Sequence, residues 1–134
     1  MLERLEQYLH SKDYKLTNPR REVFLHMQKH DPCTVQDATL QIKADRASVY
    51  RALKLFRQLG IVHDVVIGGR RMIELTDEFD SHHHHLTCLQ CGRTETLNDP
   101  AIEQRLVSLA QGRGYQNTSH QIEISGICAS CSIG

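Results

Sequence analysis

The sequence predicts an α+β chain of two units: a helical N-terminal unit closed by a β-hairpin over residues 1–76, and a small C-terminal α/β unit over residues 82–134. Three observations lead there. Apolar residues in the first sixty positions recur at helical spacing, the pattern changes to β-branched runs on either side of Gly68-Gly69, and four of the five cysteines stand as two Cys-x-x-Cys pairs in the second half. A chain of 134 residues can bury one ordinary core or two small ones, and small cores need a structural metal or a partner subunit.

Leu2, Leu5, Tyr8 and Leu9 mark a first helix. Thr17-Asn18-Pro19 offers an N-cap and a first-turn proline for a second, which carries Val23, Phe24 and Met27. Thr34, with Asp37 three residues on, starts a third through Ala38, Leu40 and Ile42. The fourth runs from Arg46 to Leu59 and stops at Gly60, a residue suited to ending helices. Ile61 to Ile67 and Arg70 to Leu75 then read as two strands joined at Gly68-Gly69. Helices followed by a hairpin are the parts of a winged helix-turn-helix. Residues 77–81, acidic and turn-prone, are expected to form a hinge.

The second unit opens with His82 to His85 and Cys88-x-x-Cys91, followed by a strand over Arg93 to Leu97. Asp99-Pro100 caps a helix through Ile102, Leu106 and Leu109 that ends near Gly112 and Gly114, and Gln121 to Ser125 forms a further strand. So small a unit leaves strand edges and apolar helix surface exposed, which favours pairing with a second copy.

The zero net charge conceals a split. Residues 1–76 hold 13 Lys+Arg against 9 Asp+Glu, whereas residues 77–134 hold 3 against 7. A basic half suits nucleic acid and an acidic half suits cations. No apolar run approaches the roughly 18 to 20 residues of a membrane span, and Met1-Leu2-Glu3-Arg4 begins an amphipathic helix, not a signal peptide. A cytoplasmic protein with no membrane partner is expected, and in that compartment paired cysteines point to metal thiolates over disulfides.

Cys88, Cys91, Cys128 and Cys131 supply four thiolates, the full tetrahedral shell of a structural Zn2+ with no position left for water or substrate. In an extended segment His82 and His84 face one way, His83 and His85 the other, so the histidine run serves two sites more readily than one. Partners for each pair come from His63, Glu74, Asp77, Glu78, Asp80, Glu95, Glu103, His120 and Cys33 with His30, and spacing leaves the choice among them open. On the fourth helix Val49, Ala52, Leu53, Phe56 and Leu59 share one face. Ser48, Tyr50, Arg51, Lys54, Arg57 and Gln58 fill the rest, a mixture of hydroxyl, aromatic and cation fitted to a phosphate backbone and a major-groove edge.

Several motifs in order are similar to those of the ferric uptake regulator family of metal-dependent repressors. They are Leu16-Thr17-x-x-Arg20, Ala47-Ser48-Val49-Tyr50-Arg51-Ala52-Leu53, Gly60-Ile61-Val62, the stretch His82 to Gly92, Glu103, His120 and Cys128-x-x-Cys131. The resemblance implies an N-terminal winged-helix DNA-binding domain, a C-terminal dimerisation domain, and a homodimer on inverted-repeat double-stranded operator DNA. It implies Tyr50 and Arg51 as groove and backbone readers, supported by Lys15 and Arg20. It implies a regulatory site at His83, His85 and Glu74, and a third site at His82, His84, Glu103 and His120.

One departure bears on the metal. Where iron-type members carry a hinge-site histidine before the third helix this chain has Pro32, so Cys33, His30 or His63 is expected to complete the regulatory site, with Asp77 a rival to Glu74. A thiolate among imidazoles favours Zn2+ over Fe2+ or Mn2+, which makes the chain most like a zinc uptake regulator. An iron-sensing or peroxide-sensing member is the alternative. No His-Glu-x-x-His motif supports a metallohydrolase, so neither catalysis nor a small-molecule substrate is expected. A zinc ribbon acting on RNA or protein is the reading outside the family.

Overall fold

The hydrogen-bond ladders and helix caps of the first unit follow the punctuation of its sequence. In the computed structural model, which describes residues 1–29, 32–80 and 82–133, the chain divides into compact units Met1–Ser81 and His82–Gly134. The first contains α1 (Leu2–Ser11), α2 (Asn18–Lys29), α3 (Val35–Gln41), α4 (Arg46–Gln58), β1 (Val62–Ile67) and β2 (Arg70–Leu75). Thr34 caps α3 by accepting the Asp37 N–H at 3.0 Å, and Asp45 caps α4 by accepting that of Ser48, also at 3.0 Å.

The end of α4 is a full Schellman motif. Gly60 takes φ +72°, its N–H reaches the Arg57 carbonyl at 3.3 Å, and the Ile61 N–H reaches that of Phe56 at 2.8 Å. Ile61 and Phe56 are both wholly buried in the core. Helix, turn and first strand are thereby locked in one geometry.

The core of this unit gathers Leu5, Leu9, Val23, Phe24, Ala38, Val49, Leu53, Phe56, Ile61, Ile73 and Leu75. Leu40, expected on the inner face of α3, is 63% exposed. Ala38 and Ile42, four residues apart, share the buried face instead, and a residue two positions on from Ala38 points away from it. The segment expected as a hinge over residues 77–81 also packs against this unit as far as Phe79. That ring is buried and meets Tyr8 and Phe24 edge-on at centroid distances of 5.6 and 6.0 Å, because an aromatic side chain has apolar area to bury even between Glu78 and Asp80.

β1 and β2 pair antiparallel with His63 opposite Glu74 and Val66 opposite Arg71. An isolated bridge joins Cys33 to Ile73 through backbone bonds of 3.2 and 2.8 Å.

The second unit holds β3 (His84–Cys88), β4 (Thr94–Leu97), α5 (Pro100–Gly112), β5 (Glu123–Gly126) and the short α6 (Ala129–Ser132), which the sequence pattern did not announce. β3 is central in the order β4-β3-β5, antiparallel to β4 and parallel to β5. Asp99 caps α5 through the Ala101 N–H at 3.0 Å, with Pro100 in the first turn. None of the α5 side chains is buried, and Ile102, Val107 and Leu109 are exposed, as are Ile124 and Ile127 beyond it. Among the described residues no helix is long and apolar enough to cross a membrane.

Candidate metal centres and nucleic-acid interface

The two cysteine knuckles meet at one end of the three-stranded sheet. Gly92, at φ +79°, turns the first knuckle back so that its N–H reaches the Cys88 carbonyl at 2.9 Å, and Cys128 leads into α6. All four sulfur atoms lie within 4.8 Å of one another. Cys91 and Cys128 are 3.9 Å apart, Sγ to Sγ, against about 3.8 Å for the edge of a tetrahedron with 2.3 Å metal–sulfur bonds. The donor set and its size both fit Zn2+.

The electrostatics of the metal-free shell are uneven. Backbone N–H groups of Cys91 and Cys128, at 3.4 and 3.3 Å, donate to the Cys88 sulfur and bring its pKa down to about 6. Cys131 is pushed up to about 12, first by its hydrogen bond with Cys128 and then by burial. Cys88 thus ionises readily while Cys131 resists ionisation. A divalent cation relieves that conflict, and its binding releases protons.

A second cluster forms where β3 passes α5. His82, His84 and His120 converge on the Glu103 carboxylate. His82 Nε2 stands 3.0 Å and His120 Nε2 2.6 Å from Glu103 Oε2, with 3.1 Å between the two nitrogens, while His84 bonds the other carboxylate oxygen. Two nitrogens on one cation at about 2.0 to 2.1 Å would sit roughly 2.9 to 3.4 Å apart, so the cluster has the dimensions of a cation site. Burial raises the Glu103 carboxyl, but hydrogen bonds from His84 and His120, then the charges of His82 and His120, outweigh it and hold the group below its ordinary value. His84 Nδ1 accepts the Ile122 N–H at 3.2 Å, so the neutral ring carries its proton on Nε2 towards Glu103. Ligation through that nitrogen would move the ring proton to Nδ1 and give up the Ile122 hydrogen bond.

His83 and His85 turn to the other side, their ring centroids 5.0 Å apart. His85 is wholly buried, and its Nδ1 donates to Glu123 Oε1 at 3.0 Å, which leaves Nε2 as the ligating nitrogen. Glu123 was not among the residues singled out from sequence. Its role depends on the parallel register that sets His85 opposite Glu123, and pairing across 38 positions leaves no local signal.

In the first unit His63 and Glu74 face each other at the base of the hairpin, Nε2 to Oε1 at 3.1 Å. The hydrogen bond with Glu74 raises the His63 pKa against the opposing effect of burial, and the charges of Glu74, Asp77 and Asp64 add to it.

Cys33 does not join them. Its bridge partner is Ile73, and residues opposed in an antiparallel bridge share a face, whereas Glu74 next along the strand points to the other. Cys33 packs on the apolar core, and burial, then Asp37, pushes its thiol up to about 11. This packing, half-buried against the core, favours a structural thiol over the expected regulatory ligand. His30 lies outside the described residues.

The DNA-contacting residues expected on α4 divide into two groups. Ser48 and Arg51 line a shallow depression with Thr17, Pro19, Arg20 and Ala52. Arg51 donates to Ser48 Oγ at 3.2 Å, and Ser48 donates to Asp45 at 2.7 Å. Arg20 is held by the Lys15 carbonyl at 2.6 Å and lies over the Tyr14 ring at 5.5 Å, so it braces the α1–α2 loop and presents the exposed Lys15. Tyr50, 52% exposed, and Lys54 project from the outer face of α4, whose inner face buries Val49, Ala52, Leu53, Leu55 and Phe56.

Comparison with known proteins places these features together. The model of the ferric uptake regulator family matches residues 11–125. The ferric uptake regulation protein of Bacillus subtilis (strain 168) is 29% identical over 141 residues, covering 98% of this chain and 94% of that protein. The crystal structure of the Vibrio cholerae ferric uptake regulator superposes with a TM-score of 0.69 at 30% identity, covering 92% of this chain and 98% of that one. A zinc uptake regulator complexed with zinc and DNA gives a TM-score of 0.62 at 25% identity, over 98% of this chain and 93% of that one.

Proposed function

The chain belongs to the ferric uptake regulator family and is a metal-responsive transcriptional regulator, not an enzyme; on that premise we propose that it is a zinc-sensing cytoplasmic repressor which binds inverted-repeat operator DNA as a homodimer. The observation that carries the zinc reading is the His63–Glu74 pair at the base of the hairpin. With Pro32 where a hinge-site imidazole is expected and Cys33 turned into the core, the regulatory donors are His63 and Glu74 from the first unit and His83 and His85 from the second. Three imidazoles and one carboxylate satisfy Zn2+ with four ligands. Fe2+ would accept the same donors only with coordination positions left open. The case for zinc thus rests on the number of donors and no longer on a thiolate.

When bound, the cation supplies a fixed link among donors carried by separate units. His63 and Glu74 would then hold the hairpin and α4 in the orientation that places two recognition helices at half-site spacing, a shift of population toward the DNA-binding form. Such coupling is on the order of 1 to 3 kcal/mol. Zn2+ in the four-cysteine site is structural, and the His82, His84, Glu103 and His120 cluster supports or modulates the response. The homodimer is supported by the second unit itself, because the main apolar core lies wholly between Leu5 and Phe79 while α5 leaves Ile102, Val107 and Leu109 exposed.

The test is operator binding by the full chain in metal-buffered solutions of Zn2+, Fe2+ and Mn2+. Zinc should drive binding at the lowest free concentration. The rival reading is iron, favoured by the likeness to a ferric uptake regulation protein. It prevails if Fe2+ drives binding while Zn2+ fills only the cysteine site.

A further inference from the structure

Resting on the reading that His83 and His85 are regulatory donors, we propose that Glu123 is a positioning residue for that site: its carboxylate holds the His85 ring with Nε2 bare and so sets the affinity for the regulatory cation. A carboxylate offers acceptors only, so the 3.0 Å contact of Glu123 Oε1 with His85 Nδ1 places the ring proton on Nδ1. Nε2 keeps its lone pair. An unrestrained imidazole favours the opposite arrangement, with the proton on Nε2, so without this contact the ligating nitrogen would be blocked most of the time. The two ring nitrogens point along divergent edges, and a carboxylate seated at Nδ1 does not reach a cation held at Nε2. Glu123 therefore acts through His85 and is not a further ligand.

Backbone and side chain fix the same residue. β3 and β5 run parallel with His85 opposite Glu123, and the His85 N–H reaches the Ile122 carbonyl at 3.3 Å. The His85 side chain has no exposed surface, whereas that of Glu123 keeps 27%. A buried ring with its tautomer also fixed presents one nitrogen in one direction, as a preorganised ligand must. His83, half-buried and edge-on to it with ring centroids 5.0 Å apart, has more freedom to adjust to the cation.

The neighbouring histidine shows that the partner atom makes the difference. His84 also meets this segment through Nδ1, but there it faces the Ile122 N–H, a donor, at 3.2 Å. Its neutral ring carries the proton on Nε2, towards Glu103. Successive residues 122 and 123 thus set opposite tautomers on the two buried histidines of β3, and only His85 stands ready for a cation at Nε2.

The experiment uses the dialysed full chain with its histidines labelled by heavy nitrogen. Long-range proton–nitrogen NMR follows the His85 ring, identified by its loss in His85→Ala, first without added metal and then as a chelator buffers free Zn2+. The wild type should show an Nδ1–H ring at His85 and zinc at its Nε2. Glu123→Ala should move the metal-free ring towards Nε2–H and raise the free zinc at half-occupancy of His85 by roughly 10- to 100-fold. Its melting temperature and cysteine-bound zinc should be kept. Glu123→Gln, whose amide oxygen still accepts, should keep the Nδ1–H ring and lose less affinity. A zinc midpoint in Glu123→Ala equal to that of the wild type would overturn the proposal, whether or not the tautomer moves. A wild-type His85 ring that never responds to zinc would instead remove the regulatory-site reading beneath it.

Discussion

His63 stands directly across the hairpin from Glu74, Nε2 to Oε1 at 3.1 Å. The imidazole belongs to β1 and the carboxylate to β2, so the antiparallel register alone brings them together. Glu74 is buried while His63 keeps one edge in solvent. The pair is thus set to exchange a proton for a cation.

Because the folded-state pKa of His63 is raised, chiefly by the hydrogen bond with Glu74, the charged pair stabilises the metal-free first unit fully below the ordinary histidine value of about 6.5. That contribution is lost as pH rises through the folded-state value. Glu74→Gln should lower the His63 titration midpoint, followed by NMR of the imidazole protons in metal-free protein. An unchanged midpoint would mean that Glu74 is not the cause.

Cys33→Ala should leave zinc-dependent operator binding unchanged within about twofold and cost roughly 1 kcal/mol of stability in the first unit, the price of a small core side chain. Operator binding across a zinc titration is the measurement. Loss of the zinc response would return Cys33 to the sensor.

Phe79→Ala should destabilise the first unit by about 3 to 5 kcal/mol, the range for a buried ring removed from a core. The ring packs against Tyr8 and Phe24, and Tyr8 donates a hydrogen bond to the Leu59 carbonyl at 2.6 Å, so the loss should reach the end of α4. Denaturant unfolding monitored by tyrosine fluorescence reads it. A change below 1 kcal/mol would show residues 77–80 to be a loose connector.

Cys88→Ser should remove the zinc that survives dialysis and unfold the second unit, since structural zinc contributes on the order of 10 kcal/mol in such sites. Metal analysis with limited proteolysis of residues 82–134 separates the cases. A zinc-free variant with a protease-resistant second unit would contradict a structural role.

Much of this architecture is legible in local sequence because its signals are short in range. Thr34 and Asp45 start helices, Gly60 ends one, Gly68-Gly69 turns the hairpin, and simple alternation sorts four histidines into two pairs. The features that escaped are set by partners far along the chain. Cys33 faces the core because it bridges Ile73, forty residues away; Glu123 serves His85 only through a parallel register. Phe79 is hidden among acidic neighbours whose composition suggests a linker, and α6 is too short to show a period.

The central claim is that His83 and His85 act with His63 and Glu74 as the sensor, apart from the cysteine site. Operator affinity of the His83→Ala variant with and without saturating Zn2+, alongside its zinc content and oligomeric state, tests it most directly. The account predicts equal weak affinity in both conditions, with cysteine-bound zinc and the dimer retained. A wild-type gain in affinity on adding zinc would contradict it.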